Sequence, residues 1–384
     1  MAGTGGRRRG AGVALPAGKE TTGMLRRWFA IVLLLAVAAT PLLSAPRPAG
    51  AQDEIKIAYV LHGLNAFTEV IKQGAEDAGK DLGVKVDVFG QAGFDVPTHQ
   101  GYFESALQAG YQGIAVVPNG GDTWNALIAE AQGSNVKLAS ANVTALNSGL
   151  DLWVGQDEFT SGTVLGDQIK TFLGAKGVNE GKLVVGMCAP GAQVLIDRYN
   201  GLKQALAGTK YTVTEAFDVK LDNTENYNTW DNLSTANPDA VGMVGLCSLD
   251  IANLAQIKER NGTSWMVAGY DLDVPTLQAI QKGFADITVG QQPYLQGYLP
   301  VRALVEEIRT GTKITGWLQV ATEVVTKENV DQYMTRESDK TAMYNYYKDY
   351  MAKNFADLQK AARPYDDLRH PGMPAASPAA TPAS

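Results

Sequence analysis

Cysteine is almost missing from this chain: Cys188 and Cys247 are the only two in 384 residues. So low a count excludes cysteine-held zinc sites and a scaffold built from disulfides. Histidine is nearly as scarce, and His62, His99 and His370 show no metal-ligand spacing. There is no P-loop, no strand-linked G-x-G-x-x-G and no G-x-S-x-G. Neither an activated nucleophile nor a paired acid and base can be found, so the sequence offers no catalytic residues and calls for no cofactor. Asp222-Asn223-Thr224-Glu225-Asn226 lacks the glycine and the terminal glutamate of a calcium loop at their required spacing. It reads as a helix cap.

Positive charge is also short. Lys and Arg number 33 against 40 Asp and Glu, and residues 1–51 hold seven of the basic residues and one of the acidic ones. Without that segment the net charge is near −13, which argues against nucleic acid or anionic lipid as a partner. The one unbroken apolar run, Trp28 to Ala39, is too short to span a bilayer comfortably. Arg26-Arg27 precede it, and small residues follow to Ala49-Gly50-Ala51. A charged n-region, an apolar h-region and an A-x-A site make residues 1–51 an expected signal peptide, removed near Ala51. The chain is therefore expected to be periplasmic or otherwise extracytoplasmic. Residues 366–384 form an expected disordered tail, rich in Pro, Ala and Ser from His370 onward.

What the chain does have is regular alternation. Ile55–Val60 reads as a strand, 67–82 as an amphipathic helix and Val84–Phe89 as a strand, and the pattern runs on through Gly113–Val117, Lys137–Ala141 and Leu152–Gly155. A second series starts at Leu183–Met187. It continues with the helix Gln193–Leu206 and the strands Tyr211–Phe217, Ala240–Leu246 and Trp265–Gly269, and closes with Ile287–Gly290. Alternation of this kind implies parallel sheets with helices on both faces. The two series are alike: Ile55 starts a strand 19 residues before Gly74, and Leu183 starts one 18 residues before Gly201. The expected fold class is thus α/β, two doubly wound lobes. Cys188 and Cys247 end the first and third strands of the second series, neighbours in such a sheet, so pairing is geometrically open. Two separate buried or cleft-lining thiols are the favoured expectation.

Doubly wound lobes that face each other hold their ligand at the carboxyl ends of the strands. Polar and aromatic residues gather at those ends. Asn65 and Phe67 follow the first strand, and Asn142 follows Lys137–Ala141. Asp157 follows Leu152–Gly155. Arg198 lies in the first turns of Gln193–Leu206, Asp271 follows Gly269-Tyr270, and Gln291 follows Ile287–Gly290. A carboxylate accepts from two hydroxyls, an arginine donates in a planar fork, and amides do both. An aromatic ring covers the apolar C–H face of a sugar. The combination suits an uncharged polyol. Each residue also has a plain structural role: a cap for Asn65, core for Phe67, a solvated charge for Arg198 and a turn for Asp271.

At these residues the chain resembles the periplasmic sugar-binding proteins of the ribose/galactose type, which feed ABC importers. The likeness covers roughly residues 54–330. It is carried by Asn65-Ala66-Phe67 with Gly74-Ala75-Glu76-Asp77-Ala78-Gly79 and by Val154-Gly155-Gln156-Asp157-Glu158. It is carried further by Asp197-Arg198, by Gly269-Tyr270-Asp271, and by Gln291-Gln292-Pro293-Tyr294-Leu295-Gln296-Gly297-Tyr298. The resemblance implies two α/β lobes joined by a three-stranded hinge, the type I periplasmic binding fold. The N-terminal lobe would comprise residues 53–157 plus 292–320, and the C-terminal lobe 158–291 plus 321–365. It implies a monosaccharide clamped by Asn65, Phe67, Asn142, Arg198, Asp271 and Gln291, and an ABC permease as partner to a monomer. Asp157 joins the expected contacts for a simple sugar or polyol from its place at a strand end. A sugar or signal-molecule sensor presenting its ligand to a chemoreceptor or kinase is the alternative. Thr68 stands where ribose binders often carry a second aromatic, Val143 where an arginine is common, and Cys247 or Ser248 where an asparagine is usual. Those departures put Cys247 among the expected ligand contacts and count against ribose itself.

Overall fold

The computed structural model describes residues 54–143, 148–368 and His370. The expected signal segment and nearly all of the expected tail lie outside these residues. The first lobe opens with β1 (Lys56–Val60), α1 (Ala66–Leu82), β2 (Lys85–Phe89), α2 (Val96–Gln108), β3 (Gly113–Val116), α3 (Asn125–Gly133), β4 (Lys137–Ala141) and β5 (Leu152–Gly155). The second holds α4 (Glu158–Ala175), β6 (Glu180–Met187), α5 (Gln193–Leu206), β7 (Lys210–Val213), β8 (Phe217–Asp218), α6 (Asn223–Ala236), β9 (Ala240–Gly245), α7 (Asp250–Asn261), β10 (Met266–Tyr270), α8 (Val274–Lys282) and β11 (Ile287–Gly290). Then follow α9 (Pro293–Thr310), β12 (Gly316–Gln319), β13 (Glu323–Val325), α10 (Val330–Glu337), α11 (Lys340–Asn354) and α12 (Leu358–Ala361).

Two sheets result. One runs β12-β5-β4-β3-β1-β2, parallel throughout. The other runs β13-β11-β10-β9-β6-β7, with β8 also on β6, and only β13 is antiparallel. The strands β3, β5, β10 and β11 are wholly buried and, Thr288 apart, mainly apolar, as helices on both faces require. The segment Tyr211–Phe217, expected as one strand, divides into β7 and β8. Asp222 caps α6 by accepting from Thr224 N at 2.9 Å and Glu225 N at 3.0 Å, the cap read from sequence.

The chain crosses between sheets three times, at β5–α4, β11–α9 and β12–β13. This is the three-segment hinge that the resemblance implies. A fourth crossing joins α10 to α11. From sequence, residues 321–365 belong with the second lobe. In the structure Met343, Tyr347 and Met351 of α11 sit in the same core as Ile57, Tyr59 and Leu304 of the first lobe, while Val330 of α10 stays in the core of the second. The physical reason is aromatic packing: the Tyr347 ring stacks on Tyr294 of α9 at 4.8 Å between centroids.

Each lobe is sealed by a helix pair in close backbone contact. A Cβ on Gly74 of α1 would land on the Tyr294 carbonyl oxygen, and one on Gly297 of α9 on that of Ile71. In the second lobe a Cβ on Gly201 of α5 would strike the Phe159 carbonyl oxygen, and one on Gly162 of α4 that of Arg198. Gly74 and Gly201, equated from their spacing, do the same work in the two lobes.

Candidate functional site

The carboxyl ends of both sheets face one cleft. Its inner chamber has a volume of about 80 Å³ and opens into cavities of about 620 and 280 Å³ that share lining residues with it. Asn65, Phe67, Asn142, Arg198, Cys247, Asp271 and Gln291 all line the chamber. Of the eight residues singled out in the sequence, Asp157 alone does not. It is the N-cap of α4: its carboxylate accepts from Thr160 N at 3.0 Å and Thr160 Oγ1 at 2.6 Å. Its oxygens also lie 2.8 and 2.7 Å from His370 Nε2. A carboxylate one residue before a helix satisfies the helix's free N–H groups, and that turns it away from the cleft.

Glu158, the next residue, faces inward. Arg198 Nε donates to Glu158 Oε2 at 2.6 Å and Nη2 to Oε1 at 3.1 Å, a bidentate pair between α5 and α4. Arg198 Nη1 donates to the Leu246 carbonyl oxygen at 2.9 Å, and the guanidinium lies 4.0 Å from the centroid of the Tyr270 ring. Both charges are almost wholly buried. Burial alone would lower the guanidinium pKa, but the Glu158 carboxylate overrides it and the pKa is raised. The arginine is therefore not a solvated helix charge; it is a fixed, neutralised donor at the cleft floor.

Asn142, Gln291 and Gln296 form an amide cluster on that floor. Asn142 Nδ2 donates to Gln291 Oε1 at 3.2 Å and to Gln296 Oε1 at 3.1 Å, and Gln296 Nε2 donates to the Gln291 carbonyl oxygen at 2.7 Å. Gln291 Nε2 donates to Asp271 Oδ1 at 2.8 Å. One glutamine side chain thus joins Asn142 of the first lobe to Asp271 of the second. Asn142 and Asp271 both have left-handed backbones, with φ of 61° and 72°. Such a conformation costs energy in a residue other than glycine, and it is commonest at functional positions. Gln292 is left-handed too, at φ 47°, and points the other way. Its side chain donates to Glu323 Oε1 at 3.2 Å and accepts from Ala321 N at 3.0 Å, holding the third crossing. Gln291→Ala is expected to weaken ligand binding about tenfold or more, from two lost hydrogen bonds. Gln292→Ala should change it less than threefold, and equal effects in titration calorimetry would count against the hinge-amide role.

Burial pushes the Asp271 carboxyl up to about 7, against the pull of Arg198 and of the bond from Gln291. Burial likewise raises Asp250 to about 6, against donors from Trp230, Asn226 and the Cys247 N–H. Both pKa values lie above those of the unfolded chain, so the folded state holds these protons more tightly. The stability they contribute is full below about pH 4 and is lost as pH rises through 6 and 7. The melting temperature should fall by on the order of 5 °C from pH 5 to 7.5, and Asp271→Asn should flatten part of that fall. A melting temperature that rises over this window, equally in both proteins, would contradict the assignment.

Cys188 and Cys247 are bonded to each other. The favoured expectation of two separate thiols is corrected here. The ends of β6 and β9 are adjacent, and the Cα atoms stand 6.1 Å apart, within reach of a disulfide. Cys247 still lines the chamber, as half of that bond.

Several lining residues escaped the sequence. Phe94 comes from the loop after β2, and Asn119 from the strand end before Gly120-Gly121; the strand-end rule would have found Asn119. His62 did not escape the sequence: at a strand end it reads as able to contact ligand, with a structural role favoured, and it lines the chamber, stacked on Phe94 at 4.9 Å. Its Nδ1 has no hydrogen-bond partner among the described residues, and burial lowers its pKa to about 3, so it stays neutral.

Two α/β lobes around a strand-end cleft, with fixed polar groups converging from both sides, define a two-lobed ligand-binding protein. A model of the periplasmic binding protein domain matches residues 57–313, and this chain belongs to that family, whose members bind solutes and are not enzymes. Among relatives, the xylose/arabinose-binding protein of Sulfolobus acidocaldarius is 24% identical over 298 residues, 73% of each chain. The ribose import binding protein of Escherichia coli is 23% identical over 289 residues, 74% of this chain and 95% of that one. A carbohydrate transporter solute binding protein from Agrobacterium radiobacter, in complex with D-arabinose, superposes with a TM-score of 0.68 at 24% identity. The superposition covers 74% of this chain and 98% of that one. The family is extracytoplasmic, and among the described residues no helix is long and apolar enough to cross a membrane.

Proposed function

We propose that this protein is an exported solute-binding protein that captures a simple sugar or polyol between its lobes and delivers it to an ABC import permease. One observation carries the reading. Gln291 joins Asn142 and Asp271 across the lobes, so a polyhydroxylated ligand at the chamber floor would engage both lobes through one amide cluster. Ligand contacts from both sides favour the closed arrangement, and hinge closure follows as a population shift. The relatives named for xylose/arabinose, ribose and D-arabinose support the ligand class. Asn65 serves twice in this reading: its Oδ1 caps α1 by accepting from Thr68 N at 3.0 Å, and its amide N–H groups serve the ligand. Phe67 supplies an apolar face, and Arg198 and Asp271 bind hydroxyls from the floor. Residues 1–51 act as the export signal, and the protein works as a monomer.

The test is a thermal-shift screen of the purified chain against monosaccharides and polyols at millimolar concentration. A ligand at 100 times its Kd adds about 2.7 kcal/mol, a rise of several degrees. No rise with any of them would overturn the ligand class.

A further inference from the structure

The chamber is not polar all round. The first lobe gives it Asn65, Asn119 and His62 together with the apolar Phe67, Phe94 and Val143, and Asp271, Gln291 and Arg198 of the second lobe lie at its floor. The second-lobe wall is built differently: the Cys188–Cys247 disulfide, Ala189, Val194, Leu195 and Leu221. Ser248 supplies the one side-chain hydroxyl there. One stretch of the second-lobe wall, beside the polar floor, is thus left almost without side chains that bond hydroxyls.

A hydroxyl buried against the disulfide, Val194 and Leu195, away from Ser248, leaves its water partners and finds no side-chain partner. A methyl group in the same place loses nothing and gains apolar contact. We propose that the ligand is a 6-deoxyhexose, a sugar whose exocyclic hydroxymethyl is replaced by methyl. Its ring hydroxyls lie toward Asn65, Asn119, Asp271 and Gln291, and its methyl lies against the disulfide, Val194 and Leu195. The proposal rests on the sugar reading above and adds the orientation and the substituent. Val194 is the wall residue best placed to report this, because it packs against the cores of both lobes.

The experiment is titration calorimetry of the full mature chain with four pairs: L-fucose and L-galactose, D-fucose and D-galactose, L-rhamnose and L-mannose, D-quinovose and D-glucose. At least one 6-deoxy sugar should bind at least tenfold more tightly than its hydroxylated parent. In Val194→Thr, which places a hydroxyl on the wall at nearly constant volume, that preference should shrink at least threefold. Parents that bind as well as or better than their deoxy partners overturn the inference and leave the sugar reading standing. So does binding of pentoses or polyols with none of the 6-deoxy sugars. A preference that Val194→Thr leaves unchanged overturns the placement of the methyl. If no monosaccharide or polyol binds, both fall.

Discussion

Glu158→Ala is expected to lower the unfolding free energy by about 3–5 kcal/mol, because it strands a buried guanidinium. Arg198 is 4% exposed and gives the Nε–Nη2 edge of its guanidinium to Glu158. With the carboxylate gone, the charge keeps the Leu246 carbonyl and the face of Tyr270, and neither balances it. Glu158 itself is well satisfied, accepting also from Gln156 Nε2 at 3.1 Å and Ser161 Oγ at 3.3 Å, and it begins α4, where the helix end favours negative charge. The double variant Glu158→Gln/Arg198→Met should regain most of the loss, since a buried pair replaced as a unit costs far less than one broken. It should nevertheless bind ligand poorly, lacking the floor donor. Urea unfolding followed by circular dichroism reads the first effect and calorimetry the second. A loss below about 1 kcal/mol in Glu158→Ala, a value typical of exposed pairs, would mean that the pair is not buried in solution.

Removing the disulfide should cost nearly as much. Cys188 and Cys247 are 59 residues apart in sequence, and closing a loop of that length restricts the unfolded chain by about 4 kcal/mol in the chain-entropy picture. The bond also fixes the loop that begins at Leu246, whose carbonyl holds Arg198. Cys188→Ser/Cys247→Ser and the native protein unfolded in reductant should therefore lose similar stability, and both should bind ligand more weakly. Thiol titration of the unreduced, denatured protein should find no free sulfhydryl. Two free thiols, with a double variant as stable as the parent, would show that the bond does not form.

Much of the fold could be read from residue pattern, because most of the central strands are short, mainly apolar runs followed by a polar residue or glycine, and strand ends are where such folds bind ligand. That rule brought together Asn65, Asn142, Asp271 and Gln291. It could not separate Asp157 from Glu158. Both follow β5, and one peptide unit of helix rotation decides which carboxylate caps and which faces Arg198. Nor could strand order alone decide the disulfide: it made Cys188 and Cys247 neighbours, but pairing depends on distance. Met343, Tyr347 and Met351 recur every four residues, a helical stripe, yet no periodicity says which lobe the stripe covers. That was decided by Tyr294, 53 residues earlier.

The crossing helices have a further consequence, in time rather than space. Neither lobe is one continuous piece of chain. The first lobe needs α9, β12 and α11 to close its core, so a chain emerging from the N-terminus cannot finish its first lobe until about residue 355 is available. The second lobe, from α4 to β11, lacks only the short β13 and α10. Order of synthesis and order of completion are thus opposed. The N-terminal half waits, incompletely packed, for the C-terminal segment that releases it from that state.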